Sequence, residues 1–300
     1  MAFCEECGTK LDEGTSFCEE CGTKVDGSSA SAPAPQQQAA PQPQAAPAAK
    51  PAASSAKTII ELKELTKEYK GGKRAVNNVN LTIKEKEFVV LLGPSGSGKS
   101  TLLRMIAGYE EVTDGIIRLD DDLMNKVPAI ERNVSFVPQD FAVGEGGGLF
   151  GAKSKERLNR GALVLEMKVS ENLAFDLESK KVPKNVIDRR INDTLKALGC
   201  ETFLDKFVKA LAAGQKWKIA LARTIIRNPK VYLFDEPFSA IDAGYRGAVT
   251  EELVNIFNSF VRKDYNANAA IIFATSDPNS PAIKAADRVI NMSEGKCVEK

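Results

Sequence analysis

A glycine-rich loop holds the residues of this chain that are best suited to chemistry. Its residues are Gly93, Pro94, Ser95, Gly96, Ser97, Gly98, Lys99, Ser100 and Thr101. Glycine lets the backbone turn sharply and bring its N–H groups against phosphate oxygens. At this spacing the Lys99 ammonium can reach the β- and γ-phosphates of a nucleotide, and the Ser100 hydroxyl can ligate Mg²⁺. The pattern therefore predicts a phosphate-binding P-loop.

The segments on either side of this loop supply the context that a P-loop requires. Residues 88–92 before it are apolar throughout, as in a buried strand, and residues 102–107 after it have a helical pattern. A helix that begins at the loop adds a favourable dipole for a bound anion. The alternative is a glycine-rich turn with a chance lysine, and both the spacing and the flanks favour the phosphate site.

A second candidate site follows the apolar run 231–234, which ends in the carboxylates of Asp235 and Glu236. In a P-loop ATPase, Asp235 would hold Mg²⁺ through water, and Glu236 would orient or deprotonate the attacking water. The alternative is a buried strand that ends in acids by chance. The P-loop in the same chain favours the catalytic interpretation.

Four cysteines near the N-terminus form a pattern typical of a metal site. They are Cys4, Cys7, Cys18 and Cys21, in two Cys-x-x-Cys-Gly pairs. Four thiolates at this spacing predict one tetrahedral Zn²⁺, which would supply the folding energy of residues 1–25. This segment resembles the short zinc-ribbon modules of many bacterial and archaeal proteins. A disulfide or redox role is the alternative. Because the segment is acidic, we expect it to bind a protein partner or serve as a cap, and not to bind nucleic acid.

Composition divides the rest of the chain. Residues 26–57 are mostly Ala, Pro, Gln and Ser, which predicts a disordered linker. Residues 58–300 alternate strand-like and helical segments, which predicts an α/β domain. The strands expected after the P-loop are 115–119, 134–137, 231–234, 270–274 and 288–292. Residues from about 140 to 228 lack strand patterns and predict an inserted helical subdomain, with a glycine-rich insertion over residues 141–168.

The whole chain gives no indication of secretion or of membrane spanning. Its N-terminus lacks the basic and apolar regions of a signal peptide, and no apolar run approaches the ~20 residues that cross a bilayer. The net charge of +1 does not favour nucleic-acid binding. We therefore expect a cytoplasmic protein that reaches a membrane only through a partner.

In the order of its motifs, the region 58–300 resembles an ATP-binding cassette (ABC) ATPase. The matching positions are Tyr69, the loop 93–101, Gln139, the segment 211–215, Asp235 with Glu236, and the segment 239–242. The segments 131–134 and 235–240 look most like the importer ATPases for sugars, polyamines and iron.

This resemblance implies a fold, a set of ligands and partners. The fold would be a P-loop core with an antiparallel β subdomain and an inserted helical subdomain, and the ligands would be ATP and Mg²⁺. Tyr69 would stack on adenine, and Gln139 would contact Mg²⁺ and take part in catalysis. Two cassettes would meet head to tail, so that each nucleotide contacts signature and D-loop residues of the other cassette. These residues are Ala212, Ala213, Gly214, Gln215 and Asp242.

Three positions depart from the family pattern. The signature serine is replaced by Ala212, the first signature glycine by Ala213, and the switch histidine by Ser276, which would occupy its catalytic position. Loss of one preorganised donor can lower a rate by ~10²–10³. Slow hydrolysis, or ATP binding used as a clamp, is therefore expected; the alternative is harmless drift, since serine still donates a hydrogen bond.

The resulting hypothesis is an ATP-hydrolysing subunit of an ABC transporter that drives a separate permease at the inner face of the cell membrane. One alternative is a nearly inactive regulatory subunit paired with an active cassette. Another is a soluble ABC ATPase of DNA repair or translation. The insertion 141–168 would be a permease-specific element or a surface loop, and the accessory C-terminal domain of the sugar and polyamine importers is expected to be absent.

Overall fold

The computed structural model describes residues 2–3, 10–11, 57–139, 163–239 and 241–299. The chain forms two units, residues 1–52 and 53–300. In the first unit, β1 (Ala2–Phe3) pairs antiparallel with β2 (Lys10–Leu11). The four predicted zinc ligands, the predicted linker up to residue 56 and most of the predicted insertion, residues 141–162, lie outside the described residues.

The second unit contains ten strands and six α-helices in its described residues. The strands are β3 (Thr58–Glu68), β4 (Arg74–Lys84), β5 (Phe88–Leu92), β6 (Asp114–Leu119), β7 (Asp122–Leu123), β8 (Val134–Val137), β9 (Val231–Asp235), β10 (Ala270–Thr275), β11 (Arg288–Ser293) and β12 (Lys296–Glu299). The helices are α1 (Lys99–Ala107), α2 (Val169–Ser179), α3 (Lys184–Ala197), α4 (Ala213–Ile226), α5 (Ala243–Ile256) and α6 (Pro281–Ala285). A π-helical segment, Phe257–Tyr265, continues α5.

A six-stranded sheet in the order β12-β11-β5-β10-β9-β8 forms the centre of this unit. All its pairs are parallel except β11 with β12. Parallel sheets are buried on both faces, which explains the continuous apolar runs in β5, β9 and β10. Because β10 lies between β5 and β9, the carboxyl ends of these strands meet at one edge. Leu91 and Asp235 are both paired with Ala274 there.

A second, antiparallel sheet has the order β4-β3-β6-β7. Val79, Leu81 and Ile83 alternate along β4 with exposed residues, so one face of this sheet is buried. This face and helix α1 belong to one apolar core with one side of the central sheet. The expected antiparallel β subdomain is therefore confirmed.

Helices α2, α3 and α4 follow β8 and precede β9 in the chain. This order agrees with the predicted α/β fold that carries an inserted helical subdomain. Ile187, Ile191 and Leu195 recur about one helical turn apart on one face of α3 and are buried in the core on the other side of the central sheet. Asn172 is fully buried and braces the segment before α2, since its side chain accepts from the Val164 N–H at 2.7 Å and donates to the Val164 carbonyl at 3.0 Å.

The observed elements agree closely with the predicted strands and extend them at some ends by a residue. Strands β7 and β12 were not predicted, and no bounds were predicted for helices α5 and α6. The apolar side chains of α5 are spread around the helix, so its sequence lacks a clear apolar face. None of the helices in the described ranges is long and apolar enough to cross a bilayer.

Arg132 fastens helix α1 to the segment that follows β7. Its guanidinium is buried and donates to the carbonyls of Met105 at 2.7 Å, Ile106 at 2.8 Å, Met124 at 2.6 Å and Val127 at 2.9 Å. Two of these carbonyls belong to the last turn of α1, where a helix leaves its acceptors without intrahelical partners. Together with the Gly108 N–H, which also donates to the Met105 carbonyl, Arg132 satisfies the end of the helix that begins at the P-loop.

We expect Arg132→Ala to lower the free energy of unfolding by about 3 kcal/mol, because it removes four charge-assisted hydrogen bonds and leaves buried carbonyls unsatisfied. Urea unfolding followed by the fluorescence of the buried Trp217 would measure this change. The exposed Lys126→Ala, on the same segment, is the matched control and should change stability by less than about 0.5 kcal/mol. Equal unfolding midpoints for the two variants would contradict the role of Arg132.

Candidate functional site: a nucleotide cleft at the P-loop

The predicted P-loop connects β5 to α1 and is tightly packed. Gly98 precedes the helix with a φ of +104°, and a Cβ there would come within 2.1 Å of the Ala75 carbonyl oxygen. A Cβ on Gly93 would come within 2.1 Å of the Met292 carbonyl oxygen. The Ser97 carbonyl accepts from the Gly295 N–H at 3.0 Å. Glycine is therefore required at two positions where the loop presses against neighbouring backbone.

Lys99 is almost fully buried, with 3 % of its surface exposed. Its ammonium donates to the carbonyls of Gly93 at 2.7 Å and Pro94 at 3.0 Å, and it lies 3.1 Å from the Glu236 carboxylate. The two carbonyls belong to the loop itself. Lys99 is thus held over the P-loop, where a phosphate would need a positive charge.

Ser100 and Asp235 form the candidate magnesium site. The Ser100 hydroxyl donates to Asp235 Oδ1 at 2.8 Å. Asp235 is fully buried, and its Oδ2 has no hydrogen-bond partner among the described residues. Burial raises the pKa of the Asp235 carboxyl, and the hydrogen bond from Ser100 opposes this shift. A buried carboxylate with a spare oxygen beside a hydroxyl is a donor set that fits Mg²⁺, whose charge would offset the burial of the carboxylate.

Glu236 follows strand β9 with an unusual backbone. Its φ is +43°, a backbone conformation that residues other than glycine rarely adopt and that is concentrated at functional sites. Its N–H donates to the Ala274 carbonyl at 3.1 Å. One carboxylate oxygen lies against Lys99, and the other accepts from the Ser276 hydroxyl at 3.1 Å. Glu236 is therefore oriented from both sides, with Ser276 in direct contact.

Lys99, Ser100 and Glu236 line a cleft of about 220 Å³, whereas Asp235 and Ser276 contact these residues from outside its lining. Of the predicted site residues, those that line it are Tyr69, Ser95, Gly96, Gly98, Lys99, Ser100, Thr101, Gln139 and Glu236. Tyr69 is 39 % exposed, and its hydroxyl donates to Glu110 at 3.2 Å. The hydrogen bond to Glu110 holds the Tyr69 ring beside the cleft, and its exposed part offers a surface on which a nucleotide base could stack. Ser97 is buried, and its Oγ has no hydrogen-bond partner among the described residues.

The predicted signature and D-loop residues do not line this cleft in the described part of the chain. Ala212 is exposed immediately before α4, Ala213 is the first residue of that helix, and Gly214 is exposed. The Gln215 side chain accepts from the Ala212 N–H at 2.9 Å. Asp242 is exposed and precedes α5. The signature segment therefore forms the N-terminus of α4, where Ala212 and Gly214 are exposed.

Three further residues contribute to this region without having been predicted. Lys73 and Ala75 line the cleft. Arg246 is part-buried and donates to the carbonyls of Phe238, Ser239 and Ile241 at 2.8–3.1 Å. Arg246 thereby holds the segment between Glu236 and Asp242 in shape. The only sign of this role in the sequence was the position of Arg246 in the first turn of α5. A cation near a helix N-terminus is unfavourable unless other groups, here the three carbonyls, accept its hydrogen bonds.

Comparison with known proteins identifies the family. The family model of the ABC transporter matches residues 76–239, more than half of the chain and all of the P-loop, Gln139 and Glu236. The chain belongs to the ABC transporter family. A second model, the zinc-ribbon domain, matches residues 3–25. The predicted resemblance and fold are thus confirmed.

Two curated relatives are ATP-binding proteins of transport systems. The chain is 35% identical over 237 residues to the sn-glycerol-3-phosphate import ATP-binding protein UgpC of Bartonella quintana, covering 79% of this chain and 60% of the relative. It is 37% identical over 234 residues to the alpha-glucoside transport ATP-binding protein AglK of Rhizobium meliloti, covering 78% and 57%. The chain therefore spans three-fifths or less of the length of these relatives.

Solved structures agree with the fold. The cbiO1 protein of Clostridium perfringens, part of the ABC transporter complex cbiONQ, superposes with a TM-score of 0.62 at 25% identity, covering 80% of this chain and 87% of the other. A dimeric ATP-binding cassette in a post-hydrolysis state, bound to ADP and phosphate, has a TM-score of 0.60 at 26% identity, covering 80% and 96%.

Proposed function

We propose that this chain binds Mg-ATP in the P-loop cleft and hydrolyses it as the nucleotide-binding subunit of an ABC importer. The observation that carries the proposal is a connected set of contacts at the P-loop. Lys99 donates to the P-loop carbonyls and lies 3.1 Å from Glu236. Ser100 donates to Asp235, and Ser276 donates to Glu236. The relatives UgpC and AglK, named for glycerol phosphate and alpha-glucoside, support a sugar or a sugar-like polyol phosphate as the transported solute.

The roles of the residues follow from their positions. The P-loop N–H groups and Lys99 bind the phosphates, while Tyr69 stacks on the base. Ser100, Asp235 and Gln139 hold Mg²⁺, which neutralises charge on the phosphates when bound. Glu236 orients water and accepts its proton, and Ser276 holds the second carboxylate oxygen of Glu236 in place.

Two cassettes complete the site in this proposal. The exposed N-terminus of α4 presents Ala212, Gly214 and Gln215 to the nucleotide of a second cassette, and Asp242 lies at the same interface. Without a hydroxyl at Ala212 and with serine in place of the switch histidine, fewer groups stabilise the developing charge. We therefore expect slow turnover, on the cytoplasmic side of a membrane permease.

The loss of the signature hydroxyl also favours a second candidate, a regulatory subunit paired with an active cassette. Affinity purification of the full chain from its native membranes, followed by mass spectrometry of the intact complex, separates the two. A membrane permease with two copies of this chain supports the main proposal. A permease with this chain and a different cassette supports the regulatory subunit, and a complex with neither permease nor cassette contradicts both.

We also propose that residues 1–25 bind one Zn²⁺ through Cys4, Cys7, Cys18 and Cys21 and dock a protein partner. The zinc-ribbon family match supports this ligand set. We expect about one zinc per chain after anaerobic purification, and none in a variant with all four cysteines replaced by serine. Chelation should leave the thermal transition of residues 58–300 unchanged, because the linker separates the two. Absence of zinc from the parent protein would contradict the proposal.

A further inference from the structure

A cavity of about 690 Å³ lies near the amino end of strand β9, whereas the P-loop cleft lies at the carboxyl end of that strand. Helix α3 forms one wall, and Phe260 and Tyr265 of the π-helical segment form another. Asn228, just before the amino end of β9, also lines it, whereas Asp235 and the nucleotide cleft lie at the carboxyl end of β9. This volume is in the range of small-molecule sites.

Positive charge dominates the wall that α3 contributes. Arg189, Arg190 and Lys196 line the cavity, and Asp193 is the one acidic residue among its described lining. Arg189 lies 3.6 Å from Asp193, one helical turn along, so these two charges offset each other. The remaining pair, Arg190 and Lys196, leaves the cavity with two cationic groups for an anion.

The facing wall is aromatic. The rings of Phe260 and Tyr265 are 5.4 Å apart, with an angle of 41° between their planes. The Tyr265 hydroxyl donates a long hydrogen bond of 3.4 Å to the Ile226 carbonyl, and burial raises its pKa to about 12. Two part-buried rings beside cationic groups suit a flat or ring-shaped ligand that also carries a negative charge.

The hydroxyl groups of Tyr232 and Thr194 are buried near this cavity, and neither has a hydrogen-bond partner with suitable geometry among the described residues. Tyr232 on β9 is fully buried, and its hydroxyl makes no hydrogen bond within the described residues. It lies within electrostatic reach of Tyr265 and Arg190, both of which line the cavity. The fully buried Thr194 hydroxyl lies near that of Tyr265 and acts on its pKa, but without hydrogen-bonding geometry in the described structure. Such groups are rare in proteins unless a ligand or ordered water satisfies them.

We propose that this cavity binds a small organic phosphate, with its phosphate against Arg190 and Lys196 and its ring against Phe260 and Tyr265. Two classes of molecule share this chemistry, sugar phosphates and nucleoside monophosphates. The site is separate from the P-loop cleft, and a nucleoside monophosphate lacks the β- and γ-phosphates that a P-loop lysine contacts.

Calorimetric titration of the full chain with glucose 6-phosphate, AMP and inorganic phosphate tests the proposal. We expect saturable binding of at least one ring phosphate, tighter than that of inorganic phosphate. The double variant Arg190→Gln, Lys196→Gln should weaken it at least about tenfold, because both charge-assisted contacts are lost. Lys184→Gln, on an exposed residue of the same helix outside the cavity, is the matched control and should stay within about twofold of the parent.

Each outcome decides the question. Tighter binding of glucose 6-phosphate identifies the site as one for sugar phosphates, and tighter binding of AMP identifies a nucleotide site. Absence of saturable binding of both, binding that survives in the double variant, or equal affinity for inorganic phosphate overturns the proposal. The thermal transition and the affinity for Mg-ATP show whether the double variant is folded, since both should match the parent.

Discussion

Replacing Glu236 with glutamine is expected to lower ATP turnover at least about 100-fold while ATP remains bound. The substitution keeps the size of the side chain and its oxygen for the Ser276 hydroxyl, but it removes the group that can accept a proton from water. It also removes the negative charge that lies 3.1 Å from Lys99. Lys99 then no longer has to give up an ion pair with Glu236 when it contacts a phosphate. ATP affinity should therefore be retained or increase, and the ATP-bound dimer should persist.

Phosphate release and equilibrium nucleotide binding would measure the two quantities separately. Lys99→Ala gives the opposite pattern, because it removes the cation over the P-loop and should abolish binding itself. Glu251→Gln, on an exposed residue of α5, is the matched control and should leave both quantities unchanged. Turnover of the Glu236→Gln variant at the parent rate would show that Glu236 is not the catalytic base.

The second expected result is a gain of activity. Restoring the family residues together, as Ala212→Ser, Ala213→Gly and Ser276→His, should raise ATP turnover at least tenfold, equivalent to about 1.4 kcal/mol of transition-state stabilisation. Ala212 precedes α4, so the new hydroxyl would lie at a helix N-terminus, which in the proposed dimer faces a second cassette. Ser276 already contacts Glu236, so histidine there would stand beside the same carboxylate and phosphate.

The gain should exceed the sum of the single changes, since the three groups act on one phosphate. Ala212→Ser alone also introduces a favoured helix cap, worth about 1 kcal/mol of stability, so thermal unfolding must be measured beside turnover. The double variant Ala212→Ser, Ala213→Gly separates the effect of the signature residues on turnover from the effect of Ser276→His. A triple variant that forms the ATP-bound dimer but turns over at the parent rate would show that these residues do not limit hydrolysis.

Much of the fold could be predicted because local sequence patterns indicate most of its strands and helices. Continuous apolar runs marked β5 and β9, since both faces of a parallel sheet are buried. Short strands and helices without an apolar face were missed, as β12 and α5 illustrate, because their stability comes from neighbours and not from their own periodicity.

Within the candidate site, the sequence by itself determined the residue types and the position of the candidate phosphate-binding loop. The P-loop is local: lysine, hydroxyl and glycines are consecutive, and the strand and helix on either side position them. The sequence predicted that Asp235 and Glu236 follow a buried strand. No local pattern indicates which strands lie beside that strand in the sheet.

The tertiary structure decided which groups meet. Strand order places β10 between β5 and β9, which brings Asp235 to Ser100 across 135 residues of chain and Ser276 to Glu236 across 40. The three contacts of Arg246 and the cavity beside α3 likewise arise only in the folded chain. The physical reason is that periodicity along the chain reports which side of an element is apolar, whereas the neighbour that covers it is chosen by the packing of the whole sheet.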